Sequence, residues 1–175
     1  MKEDKMKEEE SLMERDEILR ALKRESTLRL FFLGVITLGI YIAHYIKRQT
    51  AIVNQYLDKE KQISEGLVWT ILILTYVSAI LFVPYMFVEE GHPIAIISNL
   101  AGKILVVLDL VWAFKARNRM NMLLSATKGS EFWFHGLWTF LFTALYFNYK
   151  INMLSETFSG QGMQRDVKNR APYNR

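Results

Sequence analysis

Residues 66–114 read GLVWTILILTYVSAILFVPYMFVEEGHPIAIISNLAGKILVVLDLVWAF. Two apolar blocks, 66–88 and 93–114, stand on either side of Glu89-Glu90-Gly91-His92. At about 1.5 Å of rise per residue, helices over these blocks reach roughly 34 and 33 Å, enough to cross a hydrocarbon core of about 30 Å. Four polar residues leave room only for a tight turn. The stretch therefore predicts two antiparallel helices that span a membrane as a hairpin.

Further apolar blocks lie at 30–46 and 132–149, and as helices they reach only about 26 and 27 Å. The chain has 175 residues, of which 51% are hydrophobic and 23% charged, and the charge sits almost entirely between and outside the four blocks. Such segregation excludes a disordered chain and argues against a soluble globular domain. The expected fold class is an all-α integral membrane protein. Its spanning hairpin is flanked by two shorter hydrophobic helices, either re-entrant or tilted and spanning. Three regions follow: a charged juxtamembrane helix over 1–29, a membrane domain over 30–154, and a flexible basic tail over 155–175. The absence of cysteine excludes disulfides, Cys-ligated zinc, iron–sulfur clusters and a thiol nucleophile. The net charge of +4 answers to topology and anionic head groups, so no nucleic-acid partner is expected.

Orientation follows from lysine and arginine. Residues 15–29 carry five, 47–65 four, 89–92 none, 115–131 four and 150–175 five. The positive-inside rule puts 89–92 outside and the loops 47–65 and 115–131 in the cytoplasm. If all four blocks cross, both termini lie outside and the charge count decides nothing. If the first and fourth dip in without crossing, every basic flank is cytoplasmic. Shortness, and Gly34 and Gly39 in the first block, favour dipping. The absence of Gly and Pro from residues 137–149 opposes it. The reading taken is a multi-pass protein of the cytoplasmic (inner) membrane with both termini inside.

The first 29 residues hold 17 charged ones and suggest a solvated surface helix with Glu3/Lys7 and Asp16/Arg20 at i,i+4 spacing. Leu12, Ile18, Leu19 and Leu22 form only a thin apolar strip. Ser26 and Thr27 can cap the helix that enters the membrane. The tail from Ser155 has almost no aliphatic residue and cannot bury a core.

The block ends echo one another. The first exits through Tyr41, Tyr45, Lys47, Arg48 and then Asn54, the third through Trp112, Lys115, Arg117, Arg119 and then Asn121, the fourth through Tyr146, Tyr149, Lys150 and then Asn152. Aromatic rings at the head-group layer and snorkelling bases explain much of this; the recurring Asn has no such explanation. The stretch Phe32-Leu33-Gly34-Val35-Ile36-Thr37-Leu38-Gly39-Ile40-Tyr41, followed by Tyr45, Lys47 and Asn54, resembles the opening of the domain-of-unknown-function 4234 family. Its members begin with a Thr-x-Gly-Ile-Tyr signature and an aromatic–Lys–Asn tail. Residues 137–142 through Tyr146, Tyr149, Lys150 and Asn152 are similar to the family's last hydrophobic segment, with Thr143 where members usually have Gly. The resemblance spans roughly residues 28–154. It singles out Thr37, Gly39, Tyr41, Asn54, Tyr146, Lys150 and Asn152, and implies a small bacterial or archaeal membrane protein without an assigned activity.

Lys103 and Asp109 are charges inside the third block, where each costs on the order of 2.5–3.5 kcal/mol on insertion scales and needs protein, water or a partner. Asp109 reads either as an ion, proton or docking site, or as a group bonded to Thr70 or Thr75. Lys103 reads as a transport residue or as a base snorkelling toward Glu89/Glu90. His44 lies near a block end. His44 and His135 as paired haem ligands, or Glu89, Glu90 and His92 around a metal, are weaker readings than interfacial histidines and a solvated turn. No catalytic template, metal motif or cofactor loop is present, so no enzyme and no cofactor are expected. The expected function is that of an accessory subunit or scaffold, docked in the bilayer against other membrane subunits or copies of itself. The alternative is an oligomeric ion or solute channel using Asp109 and Lys103.

Overall fold

A computed structural model describes residues 2–170 of the chain, with side chains for residue 6 and for 10–159. The helices are α1 (Lys2–Leu22), α2 (Thr27–Ile36), α3 (Ile40–Gln55), α4 (Glu65–Tyr85), α5 (Pro93–Leu123) and α6 (Gly136–Arg170), with a 3-10 turn at Lys59–Lys61. Among the described residues there is no strand.

The central stretch forms the expected hairpin. Helix α4 stops one residue after Pro84, which has no amide hydrogen to give the helical ladder. Gly91 turns the chain at φ 99°. His92 caps α5, its Nδ1 accepting the Ile94 N–H at 3.2 Å, and Pro93 opens the helix where a missing N–H costs nothing. Among the described residues, these two helices are long and apolar enough to cross a membrane. Their far halves are nearly bare of protein. Ile80 is 72% exposed, Phe87 84% and Val106 60%.

Both shorter blocks fold back on themselves. After α2 the chain reverses through Leu38 (φ 51°) and Gly39 (φ 87°), conformations that a side chain resists and glycine accepts. The arms α2 and α3 then pack so closely that a Cβ on Gly34 would fall 2.5 Å from Cδ1 of Ile42. The turn reaches only part-way along the hairpin. A Cβ on Gly39 would lie 3.6 Å from Cγ2 of Thr75, near the middle of α4.

Helix α6 is broken at Thr143 (φ 40°, ψ −115°) into arms 136–142 and 144–170. Ring centroids of Phe134 and Phe147 lie 5.7 Å apart, and those of Phe132 and Phe158 lie 5.5 Å apart. A straight helix would separate residues 134 and 147 by about 20 Å. The chain therefore returns toward its own entry point. The absence of Gly and Pro from 137–149 does not prevent the reversal, because Thr143 adopts the left-handed conformation itself.

The buried core gathers at the end of the molecule away from the 89–92 turn. Trp112, Met120, Leu124, Phe134, Phe147, Ile151 and Leu154 form its centre. Helix α1 is part of it, packing on α3 and α6 with Ile18, Leu19 and Leu22 fully buried. Its thin apolar strip thus docks rather than lying on a solvated helix. Ser26 caps α2 by accepting the Arg29 N–H at 3.2 Å, and Asp16 pairs with Arg20 at 2.9 Å. The expected Glu3/Lys7 pair lies outside the described side chains. At the other end, residue 155 falls inside α6, with Ser155 and Phe158 buried. Phe158 on Phe132 is the anchor that carries the packed helix past the expected start of a flexible tail; the side chains of 160–170, and residues 171–175, are outside the described part.

Candidate functional site

The polar side chains converge on the short link between α1 and α2. Glu25 is buried there, its side chain 3% exposed, with Arg48 Nη2 3.7 Å from Oε1. The Tyr41 hydroxyl donates to Oε2. The backbone carbonyl of Glu25 accepts from Asn148 Nδ2 at 3.2 Å and from Asn152 Nδ2 at 2.9 Å, and Gln49 Nε2 donates to the Leu22 carbonyl at 3.1 Å. One link is thus strapped from both fold-backs. Buried carbonyls and carboxylates must find donors, and these come from α3 and α6 because both return to the same level.

The recurring Asn gains a physical reason. Asn54 Nδ2 donates to the Ile63 carbonyl at 2.9 Å while its Oδ1 accepts the Ile63 N–H at 2.8 Å. Asn121 does the same to Phe134, at 3.4 and 2.8 Å. Each carboxamide satisfies both backbone groups of one residue where the chain returns to the next helix. Asn152 uses only its donor, on Glu25.

The other motif residues are also fold-back hardware. The Thr37 hydroxyl donates to the Leu33 carbonyl at 2.6 Å and accepts the Tyr41 N–H at 3.0 Å, bracing the turn that Gly39 makes. The Tyr146 hydroxyl accepts the His135 N–H at 3.0 Å, and the Lys150 ammonium donates to the Glu131 carbonyl. Burial lowers the pKa of Lys150, with the Glu131 charge opposing it. Trp112 Nε1 donates to Thr50 Oγ1 at 2.8 Å in the core.

The intramembrane candidates are not brought together. Lys103 is exposed and, among the described residues, pairs with no acid, Glu89 and Glu90 included. Asp109 is half-buried, and its Oδ1 is shielded without a hydrogen-bond partner among the described residues. The hydroxyls of Thr70 and Thr75, candidate partners for it, donate instead to Gly66 and Ile71 of their own helix at 2.8 and 2.7 Å. His44 Nε2 lies 2.9 Å from the Tyr76 hydroxyl. Among the described residues, no three His, Asp or Glu side chains converge as a metal would need.

Sequence reasoning passed over Glu25 and Arg24, and read Lys47 and Arg48 only as bases snorkelling at the exit of the first block. Nothing distinguishes Glu25 from the other acids of the first 29 residues except its place directly before the Ser26 cap. The recess that Arg24, Tyr41, His44, Tyr45, Lys47 and Arg48 enclose has a volume of about 480 Å³. A second cleft, about 570 Å³ and apolar, lies between α2 and α6 beside Phe31, Trp138 and Phe142.

The family model described as a domain of unknown function (DUF4234) matches residues 25–122, more than half of the chain. The chain belongs to this family. The DUF4234 match opens at Glu25, the centre of the strapped link, and closes one residue past Asn121. It takes in the first fold-back, the long hairpin, the Asn54 clamp and Asn121 itself, but not Phe134, the residue that Asn121 holds. The second fold-back lies beyond it, so the roles of Tyr146, Lys150 and Asn152 rest on the hydrogen bonds given above. No curated protein and no solved structure matches the chain.

Proposed function

We propose that this DUF4234 protein is a multi-pass protein of a prokaryotic cytoplasmic membrane, acting as a structural subunit or scaffold within a larger membrane assembly. Helices α4 and α5 cross the bilayer with the 89–92 turn outside. The packed base and both termini are cytoplasmic, and the two fold-backs enter from that side to mid-depth. Support comes from the outward-facing apolar side chains of the hairpin, from the approach of Gly39 to Thr75 near mid-α4, and from the basic flanks confined to one end.

The observation that carries the assembly role is Asp109. A carboxylate oxygen shielded from solvent without a donor is costly, and the flank of α5 beyond it, from Ile96 to Val107, is exposed. A donor from another subunit or a second copy satisfies both conditions. The alternative reading, a channel or carrier built from several copies, draws on the same Asp109 with the exposed Lys103 at membrane depth.

The mass of the particle extracted in mild detergent tests the proposal, for the native chain and for Asp109→Asn. The expected result is an assembly larger than one chain that Asp109→Asn dissociates, with no change in ion or proton flux in vesicles. Intact assembly with abolished flux would select the transport reading. A monomer in both cases would refute both readings.

A further inference from the structure

The recess beside Glu25 has features that the strapping of the fold does not use. Arg24, Lys47 and Arg48 border it against one acid, Glu25, leaving a positive surplus. Nε of Arg48 and the hydroxyl of Tyr45 are shielded from solvent and make no hydrogen bond within the described chain, and Nη2 of Arg48 has there only its 3.7 Å ion pair with Glu25. Tyr45 is 2% exposed, and the Arg48 guanidinium lies 5.3 Å from its ring centroid. Unmet buried donors are costly, and donors of this kind, planar guanidinium and hydroxyl together, suit phosphate oxygens. A volume of about 480 Å³ is within the range of ligand-sized clefts.

The height of the recess identifies what supplies the phosphate. Gly39 sits beside Thr75 near the middle of α4, and Lys47 and Arg48 follow eight and nine residues later on α3. That is about 12–14 Å along the helix, close to half of a hydrocarbon core of about 30 Å. The rim groups thus lie where head groups begin. The Lys47 ammonium stands 3.9 Å from the ring centroid of Trp69, and from Trp69 the exposed side chains of Ile73, Tyr76 and Ile80 continue up α4 as a path for acyl chains. We propose that this recess binds the phosphate of an anionic glycerophospholipid, with its tails along the bare flank of α4. The site rests on the membrane placement proposed above.

Trp69, beside the Lys47 ammonium that borders the recess, provides the probe. The full chain, reconstituted in phosphatidylcholine vesicles, is titrated with brominated phosphatidylglycerol or brominated phosphatidylcholine, and the difference from Trp69→Phe isolates the quenching of Trp69. Phosphatidylglycerol should quench at several-fold lower mole fraction than phosphatidylcholine. Arg24→Gln and Lys47→Gln should each weaken that preference about fivefold, equivalent to about 1 kcal/mol for one basic side chain at an anionic surface. Lys59→Gln, an exposed base in the loop after α3, should leave it unchanged. Equal quenching by both lipids, or equal losses in all three variants, would overturn the site. Displacement of phosphatidylglycerol by millimolar inorganic phosphate would assign the recess to a free anion and overturn the lipid. Flotation with pure phosphatidylcholine vesicles separates the two proposals: a chain that floats without lipid preference loses only the site, and one that does not float loses the placement and the site together.

Discussion

The two fold-backs reach similar reversals by different chemistry. The first turns through Leu38 at φ 51° and Gly39 at φ 87°, and a threonine hydroxyl braces the turn from both sides. Its arms touch through the missing side chain of Gly34. The second turns at Thr143, φ 40°, a strained conformation for a side chain branched at Cβ. Its first arm stacks Trp138 on Phe142, with ring centroids 5.9 Å apart, and Phe134 closes on Tyr146 and Phe147 across the reversal. The first spreads its positive φ over a leucine and a glycine and is held by one hydroxyl and the close approach of its arms. The second puts it on one residue branched at Cβ, and an aromatic cluster has to offset the strain.

The most damaging way to break this pairing is Phe147→Ala. It removes the ring that joins Phe134 to Trp112 and should lower stability by about 3–5 kcal/mol, read from the denaturant midpoint in mixed micelles. A loss below that of the next variant would mean that aromatic closure does not hold the second reversal. Gly34→Val drives a side chain into Ile42 and should cost about 1–3 kcal/mol on the same titration. The finest test exchanges backbone preferences. Gly39→Ala should cost about 1–2 kcal/mol and Thr143→Gly should gain about 1 kcal/mol. A loss for Thr143→Gly would refute the assignment of strain to Thr143, and a gain for Gly39→Ala would refute the need for glycine at the first turn.

The long hairpin was legible because one signal sufficed: two long apolar runs around four polar residues. The first fold-back was half legible, since Gly34 and Gly39 marked close approach and a turn. The second was marked only by the resemblance, which puts Gly where this chain has Thr143; propensity has no mark for a threonine held at positive φ by aromatic rings from residues 134 to 147. The Asn echo was visible as a pattern, but its meaning depended on backbone groups of Ile63 and Phe134, nine and thirteen residues onward. The docking of α1 was hidden for the opposite reason. Its buried face is three or four residues wide, and only the partners on α3 and α6 distinguish it from a solvated helix. For Asp109 the charge was evident from sequence, whereas the diversion of Thr70 and Thr75 to carbonyls of their own helix depends on side-chain rotamers that sequence does not specify.

The outline of the molecule carries a mechanical consequence. At the 89–92 end there are two helices; at the opposite level the same two are joined by the four arms of both fold-backs. On the proposed placement, one monolayer must make room for a much larger cross-section than the other. Each copy then acts as a wedge with its broad side at the basic face, and a crowd of copies relaxes the area mismatch by bending the sheet so that this face is convex.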